Sequence, residues 1–266
     1  STNFKFYGSA IDNLISEFDS LKKNKLITEK KVISDLFFFK QEIRFNNVSF
    51  KYSSDSIPIF ENLNFSIKKG ETIGVVGKSG SGKSTFIDLL VGLHKPNSGE
   101  LILDSKFKMQ EHIDSWRNNI GYIPQSVLLL DSSIEENIAL GIPPNNIDSN
   151  RINEVLKMSE LTDFISKLPN GVYSKVGEDG VKLSGGQRQR IGIARSLYNN
   201  PGVLILDEAT SALDTETEKK IMSSIYKMKN LMTIIIVSHR LNTLKECNIL
   251  YEVNNQQLKR INKKNL

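Results

Sequence analysis

The chain has 266 residues, of which 39% are hydrophobic and 24% charged, a composition that fits one large globular domain or a domain with an appendage. A net charge of +5 is compatible with an anionic ligand without demanding one. The single cysteine, Cys247, excludes an internal disulfide, fits a reducing compartment and is expected to be a half-buried thiol. No apolar run reaches the roughly 20 residues that a membrane helix needs.

In chain order, the first segment differs from the rest. Phe4, Tyr7, Ile11, Leu14, Phe18 and Leu21 recur at alternating steps of three and four, which places them on one helix face. That face packs either on its own domain or against a missing partner. Residues 22–36, rich in Lys, read as a linker, and the domain boundary is placed near Gln41, dividing residues 1–40 from 41–266. With no signal peptide and a first residue that is not Met, the chain is expected to be a piece of something longer.

From Glu42 the period changes to two. "EIRFNNVSFKY" alternates apolar and polar residues, with a slip at Asn46–Asn47, and "LNFSI" alternates as well. Both read as antiparallel strands with one wet face. "TIGVVG", "NIGYIPQ", "GVLILDE" and "MTIIIVSH" are short, apolar and β-branched, as for parallel strands buried on both faces. Between the second and third of these the pattern is helical, in "SSIEENIAL", "SNRINEVLKMSE" and "LTDFISKL", where Leu161, Phe164, Ile165 and Leu168 follow i, i+3, i+4, i+7. Thr215–Glu218 reads as a capping box that opens a further helix. The expectation is an α/β fold: a parallel sheet core preceded by an antiparallel sheet and interrupted by a helical block at about residues 127–197.

Three motifs carry chemistry. "GKSGSGKST", Gly77 to Thr85, sits between a strand and a helix and matches the phosphate-binding loop G-x-x-x-x-G-K-[ST]. Its residues are Gly77, Lys78, Ser79, Gly80, Ser81, Gly82, Lys83, Ser84 and Thr85. The glycines let backbone N–H groups converge on phosphate oxygens, and the helix start adds positive potential. Lys83 is expected to reach the β- and γ-phosphates and Ser84 to ligate Mg²⁺. "VLILDE" ends a strand on Asp207 and Glu208, one acid for a metal ion and one to orient a water. "IVSH" ends another strand on His239, at the sheet edge where ligands bind in such folds. The other histidines, His94 and His112, are expected at the surface.

With these motifs the chain resembles the nucleotide-binding domain of ABC transporters. "LSGGQ", Leu183 to Gln187, matches that family's signature, "IPQ" its Q-loop through Gln125, and "SALD", Ser211 to Asp214, its D-loop. His239 matches the switch histidine, and Tyr52 in "VSFKY" the aromatic that stacks on adenine. All occur in order, over about residues 42–262. The resemblance implies a P-loop NTPase fold of RecA-like core, with ATP and Mg²⁺ as ligands. It implies that Ser84, Gln125 and Asp207 surround the metal, that Glu208 is the base or water-orienting group, and that His239 contacts the γ-phosphate. It also implies a head-to-tail dimer with a second ABC ATPase domain, identical or not. There Ser184, Gly185, Gly186, Gln187 and Asp214 complete the partner's site. A glycine-rich helix start with unpaired N–H groups and a positive dipole end suits that task.

"VGEDG", Val176 to Gly180, resembles the X-loop of exporters, in which a transmembrane domain precedes the ATPase on one polypeptide. Residues 4–21 then read as the connector from that domain, and the ATPase belongs on the cytoplasmic face of the cell membrane. A lipid-linked sugar, polysaccharide, lipid, drug or peptide is the expected cargo. The alternatives are a soluble ABC ATPase acting on ribosomes or nucleic acid, and a module that binds ATP without hydrolysing it. One domain, no long coiled-coil insert and an intact set of Asp207, Glu208 and His239 argue against both, and no nucleic-acid partner is expected.

Overall fold

The structure, a computed structural model, describes residues 39–210 and 212–262. The amphipathic segment 4–21 and the linker 22–36 lie outside the described residues, as does Ser211. In chain order the strands are β1 (Glu42–Phe50), β2 (Phe60–Lys68), β3 (Thr72–Val76), β4 (Ser98–Leu103), β5 (Phe107–Lys108), β6 (Ile120–Ile123), β7 (Val203–Asp207), β8 (Thr233–Val237), β9 (Ile249–Asn254) and β10 (Gln257–Ile261). The helices are α1 (Lys83–Leu90), α2 (Ile113–Asn118), α3 (Ile134–Ile138), α4 (Ser149–Met158), α5 (Thr162–Ile165), α6 (Gly185–Tyr198) and α7 (Thr215–Lys227).

The antiparallel sheet has the order β2-β1-β4-β5. On β1, Ile43, Phe45, Val48 and Phe50 are buried while Arg44 faces out, the alternation that the sequence suggested. The slip at Asn46–Asn47 is a bulge: the register breaks there against both neighbours, and Asn47 takes a φ of 49°. The strands β4 and β5 were not anticipated. They form a hairpin turning on Asp104 and Ser105, both at positive φ.

The second sheet has the order β10-β9-β3-β8-β7-β6, with β9 through β6 parallel. All four strands expected to be parallel are consecutive neighbours in it. Alternate residues of β7 and β8 feed two cores. Val203, Ile205, Ile235 and Val237 face the antiparallel sheet and α1; Leu204, Leu206, Ile234 and Ile236 face α6, α7 and the helical block. Each such side chain contributes ~1.5–3 kcal/mol by leaving water. Double-sided burial is why these strands read as unbroken apolar runs. The hairpin β9–β10, also unanticipated, adds the edge strand and turns on Asn255 and Gln256, again both at positive φ.

The helical block is present but more broken than the periodicity suggests. Leu161, Phe164, Ile165 and Leu168 all pack into one core, yet only Thr162–Ile165 is α-helical. Pro169 follows Leu168 and disfavours helical backbone there. The capping box expected at Thr215–Glu218 is also shifted. Asp214 is the N-cap of α7, accepting from the N–H groups of Glu216 and Thr217, because a carboxylate one residue earlier competes better for the positive helix end. Capping boxes stand instead at Ser133–Glu136 on α3 and Ser184–Gln187 on α6. Cys247 is completely buried, not half-buried, beneath Gly74 of β3.

The seat of α6 depends on a missing side chain. A Cβ at Gly121 of β6 would lie 2.4 Å from the Ser196 carbonyl of α6, which cannot move without shifting the helix. A Cβ at Gly74 would meet the far ends of Leu250 and Leu244 and lie 3.2 Å from Cys247 Sγ, side-chain atoms that give way more readily than a helix carbonyl. Gly121→Ala is therefore expected to destabilise the fold by about 1–3 kcal/mol, and Gly74→Ala by less, as read from urea-unfolding midpoints. Equal midpoints for the two variants would show that α6 is not held at Gly121.

Candidate functional site

In a parallel sheet every carboxyl end lies on one edge. Here β3, β8, β7 and β6 are adjacent, so the segments that follow them meet there. They enclose a cavity of about 510 Å³ whose lining includes Lys83, Ser84, Gln125, Asp207, Glu208 and His239. Tyr52 and Ile59 line it as well, and Ser79, Gly80, Gly82 and Thr85 supply the loop wall. Of the expected phosphate-loop residues, Gly77, Lys78 and Ser81 stand behind this lining. The Ser81 side chain sits over Gly77, and its N–H donates to the Lys78 carbonyl at 3.1 Å.

The loop conformation requires glycine at two points. Gly80 has φ 75° and Gly82, the N-cap of α1, has φ 107°, regions that other residues enter at a cost. Lys83 opens the helix and is nearly buried. Its ammonium donates to the carbonyls of Gly77 and Lys78 at 2.9 and 3.1 Å, which pins the charge at the mouth of the loop.

Opposite lies the acidic pair. Burial pushes the Asp207 carboxyl up. A hydrogen bond from the Tyr122 hydroxyl at 3.2 Å opposes this, the charges of Glu208 and Asp88 add to it, and Lys83 opposes it. Crowded acids with partial burial are a site that a cation relieves. The Ser84 hydroxyl, the Asp207 carboxylate and the Gln125 amide line the same cavity as oxygen donors, which fits Mg²⁺, an ion that takes few protein ligands and leaves the rest to water and phosphate.

Glu208 takes a φ of 49°, left-handed backbone that a non-glycine residue holds only when its surroundings insist. The surroundings are visible. Its N–H donates to the Val237 carbonyl, Gln125 Nε2 donates to one carboxylate oxygen at 3.0 Å, and His239 Nε2 lies 2.9 Å from the other. Loops from β6 and β8 thus grip a carboxylate that follows β7.

Tyr52 is 58% exposed, and its hydroxyl pairs with Thr85 Oγ1 at 2.9 Å. His94 corrects an expectation. It is not a plain surface residue but half-buried, stacked on Phe50 and edge-on to Tyr52, so it braces that ring. His112 is likewise half-buried, edge-on to Phe107. Sequence reasoning missed His94, Ile59 and Tyr122 because nothing in their spacing signals that they approach the cavity.

Ser184, Gly185, Gly186, Gln187 and Asp214 lie off this cavity. The Ser184 hydroxyl accepts from the Gln187 N–H at 3.2 Å while the Gln187 side chain accepts from the Ser184 N–H at 2.8 Å. That capping box is why α6 begins on Ser-Gly-Gly-Gln. It fixes the helix start while leaving the N–H groups of the two glycines without an intrahelical partner. The same helix is tied to the cavity wall, because Gln189 Nε2 donates to the carbonyl of Pro124, next to Gln125. Arg195, further along, donates to the carbonyls of Leu128 and Asn137.

Comparison with known proteins agrees with this arrangement. The model of the ABC transporter family matches residues 60–211, more than half of the chain. Over 204 residues, 77% of this chain and 28% of the relative, the sequence is 46% identical to the leukotoxin translocation ATP-binding protein LktB of Mannheimia glucosida. Over 204 residues, 77% of this chain and 29% of the relative, it is 45% identical to the alpha-hemolysin translocation ATP-binding protein HlyB of Escherichia coli. The chain therefore spans less than a third of the length of these relatives. Among solved structures, that of a bacterial Atm1-family ABC exporter with ATP bound matches with a TM-score of 0.77 and 35% identity, over 84% of this chain and 39% of that one. The sheets, the phosphate loop and the signature helix are those of an ABC ATPase domain, and the chain belongs to the ABC transporter family.

Proposed function

We propose that this chain is the ATP-hydrolysing domain of an export-type ABC transporter, acting on the cytoplasmic face of a membrane. One observation carries the reading. Lys83, Ser84, Gln125, Asp207, Glu208 and His239 surround a single cavity, while the signature helix start, capped to present N–H groups, lies off it. Each domain then holds half of two sites, and two domains docked head to tail complete both. The two domains are copies of this chain or this chain and a relative.

In this reading Tyr52 stacks on the base of ATP, and Lys83 and the loop N–H groups receive the phosphates. Ser84, Asp207 and Gln125 would hold Mg²⁺, which would supply positive charge against the phosphates. Glu208 orients a water toward the γ-phosphorus and takes its proton, and His239 keeps that carboxylate aimed. Across the interface, Ser184, Gly185 and Gly186 face the γ-phosphate, with Gln187 and Asp214 beside them. ATP closes the dimer, and loss of the γ-phosphate reopens it.

A transmembrane domain is the second partner. Leu128, Leu130 and Leu140 follow Gln125 with 73%, 60% and 45% of their surface exposed, apolar area that such a partner would cover. No helix among the described residues is long and apolar enough to cross a membrane. Residues 4–21 are its connector. The "VGEDG" turn, with Gly177, Asp179 and Gly180 at positive φ, stands just before the signature helix as in exporters. Relatives named for leukotoxin and alpha-hemolysin translocation favour a peptide or protein cargo over a lipid-linked sugar, and give no support to a ribosome or nucleic-acid role.

Three outcomes are expected. Glu208→Gln binds ATP but loses about 10²–10⁴-fold in turnover, and dimerises more readily with ATP. A rate within a few-fold of the parent chain removes Glu208 from its role. Tyr52→Ala weakens nucleotide binding by about 1–3 kcal/mol, while the parent chain binds GTP nearly as well as ATP, since stacking distinguishes purines poorly. Strong rejection of GTP, seen by titration, would show that a polar contact reads the base.

The third outcome concerns mixing. Lys83→Ala removes charge from the phosphates, and Gly185→Asp sets a carboxylate where an anion belongs. The Cβ that Gly185→Asp adds comes no nearer than 3.8 Å to Ala212, so the fold tolerates it. Each variant alone is expected to be inactive. Mixed equally, about half of the dimers carry one intact site of two, so up to roughly a quarter of the parent sites return. ATPase and ATP-dependent dimerisation that both stay flat on mixing, across protein concentrations, would rule out the shared site.

A further inference from the structure

Glu218 stands on the first turn of α7, off the cavity and only 7% exposed. One carboxylate oxygen accepts from the Thr210 hydroxyl at 2.7 Å and the Thr243 hydroxyl at 2.9 Å. The other accepts from the Arg240 guanidinium at 2.9 Å. Thr210 lies two residues after Glu208. Arg240 follows His239, and Thr243 lies in the 3₁₀ turn Leu241–Leu244 just beyond it. One buried carboxylate therefore joins the segment leaving β7 to the segment leaving β8.

At their roots these segments are held by the sheet, through the pairing of Asp207 with Val237 and the Glu208 N–H on the Val237 carbonyl. Beyond that they part around a cleft of about 80 Å³ lined by Glu208, Thr210, Ser238, His239 and Arg240. The three hydrogen bonds to Glu218 join them, and the 2.9 Å contact of His239 with Glu208 spans the same gap. Burial alone would push the Glu218 carboxyl up, but the two hydroxyls and the guanidinium outweigh it and hold the group below the ordinary glutamate range. The acceptor is thus a carboxylate, and its bonds are of the strong, charge-assisted kind.

We propose that Glu218 is a positioning residue for hydrolysis: by clasping Thr210, Arg240 and Thr243 it sets the spacing of the Glu208 and His239 segments and so the contact between those two side chains. It does not line the cavity that holds Lys83 and Glu208. The inference rests on the reading of Glu208 as the residue that activates water.

The test uses the whole 266-residue chain. Glu218→Gln keeps the size of the side chain, removes its charge and offers Arg240 a poorer acceptor. It is expected to lower kcat about 10- to 100-fold while KM for ATP stays within about twofold, the mark of a misplaced catalytic group. The readout that mere loss of stability would not move is the imidazole NMR spectrum. The chain has three histidines, so the His239 signal is assigned by its absence in His239→Ala. In Glu218→Gln that signal is expected to shift in the same direction as in Glu208→Gln, while those of His94 and His112 stay in place.

Should Glu218→Gln fail to fold, Thr243→Val cuts one arm of the clasp with little change of shape, and Thr243→Ser keeps the hydroxyl. The Val variant is expected to lose kcat and move the His239 signal, and the Ser variant to retain both. Glu208→Gln is the reference. If it turns over normally, the reading of Glu208 falls first and the inference with it. If it is inactive while the clasp variants keep kcat within about twofold, or lose it with the His239 signal unmoved, the reading of Glu208 stands and the inference is overturned.

Discussion

Everything at this site turns on holding a negative group where negative groups crowd. Glu208 follows Asp207 directly, at the end of a buried strand and across from a loop shaped for phosphate. Left to itself the carboxylate would turn toward water. It is kept in place by donors from Gln125 and His239, which arrive on different strands, and by backbone held at a φ of 49°. Such a conformation persists only when several elements agree on it. The parallel sheet supplies that agreement, because it delivers β6, β7 and β8 side by side with their carboxyl ends level.

The cation and anion sides of the cavity are built by different means. On the anion side the backbone does the work, with glycines at positive φ, a helix start and one lysine whose ammonium is anchored on loop carbonyls. On the cation side the side chains do it, with a carboxylate raised by burial and by its acidic neighbours. Each wall suits a charge of the opposite sign, the loop an anion such as a phosphate and the acids a cation.

The signature helix shows how one element serves two places. Its start is closed by a reciprocal Ser184–Gln187 box and left lined with glycine amides, suited to an anion that this chain's own cavity does not bring to it. Its middle is bonded to Pro124 beside Gln125, and Arg195 gathers the carbonyls of Leu128 and Asn137. The helical block is thereby bonded to the wall that carries Gln125. Leu128, Leu130 and Leu140 of the same block leave apolar area exposed.

The phosphate loop, the strand-end acids, the histidine and the signature turn could be read from the sequence alone, because each is local: its residues are adjacent and its backbone demands particular residue types. The parallel strands were legible for a related reason, since burial on both faces leaves an unbroken apolar run. The hairpins β4–β5 and β9–β10 were not legible, because short edge strands alternate weakly and turn on Asp-Ser and Asn-Gln rather than on glycine pairs. Nor was the N-cap of α7, where Asp214 and Thr215 compete and geometry decides. His94 beneath Tyr52, Tyr122 on Asp207 and the clasp of Glu218 on Thr210, Arg240 and Thr243 belong to tertiary structure alone. Their partners lie 8 to 85 residues apart, a separation that carries no periodic signal, and only the folding of the sheet brings them within reach.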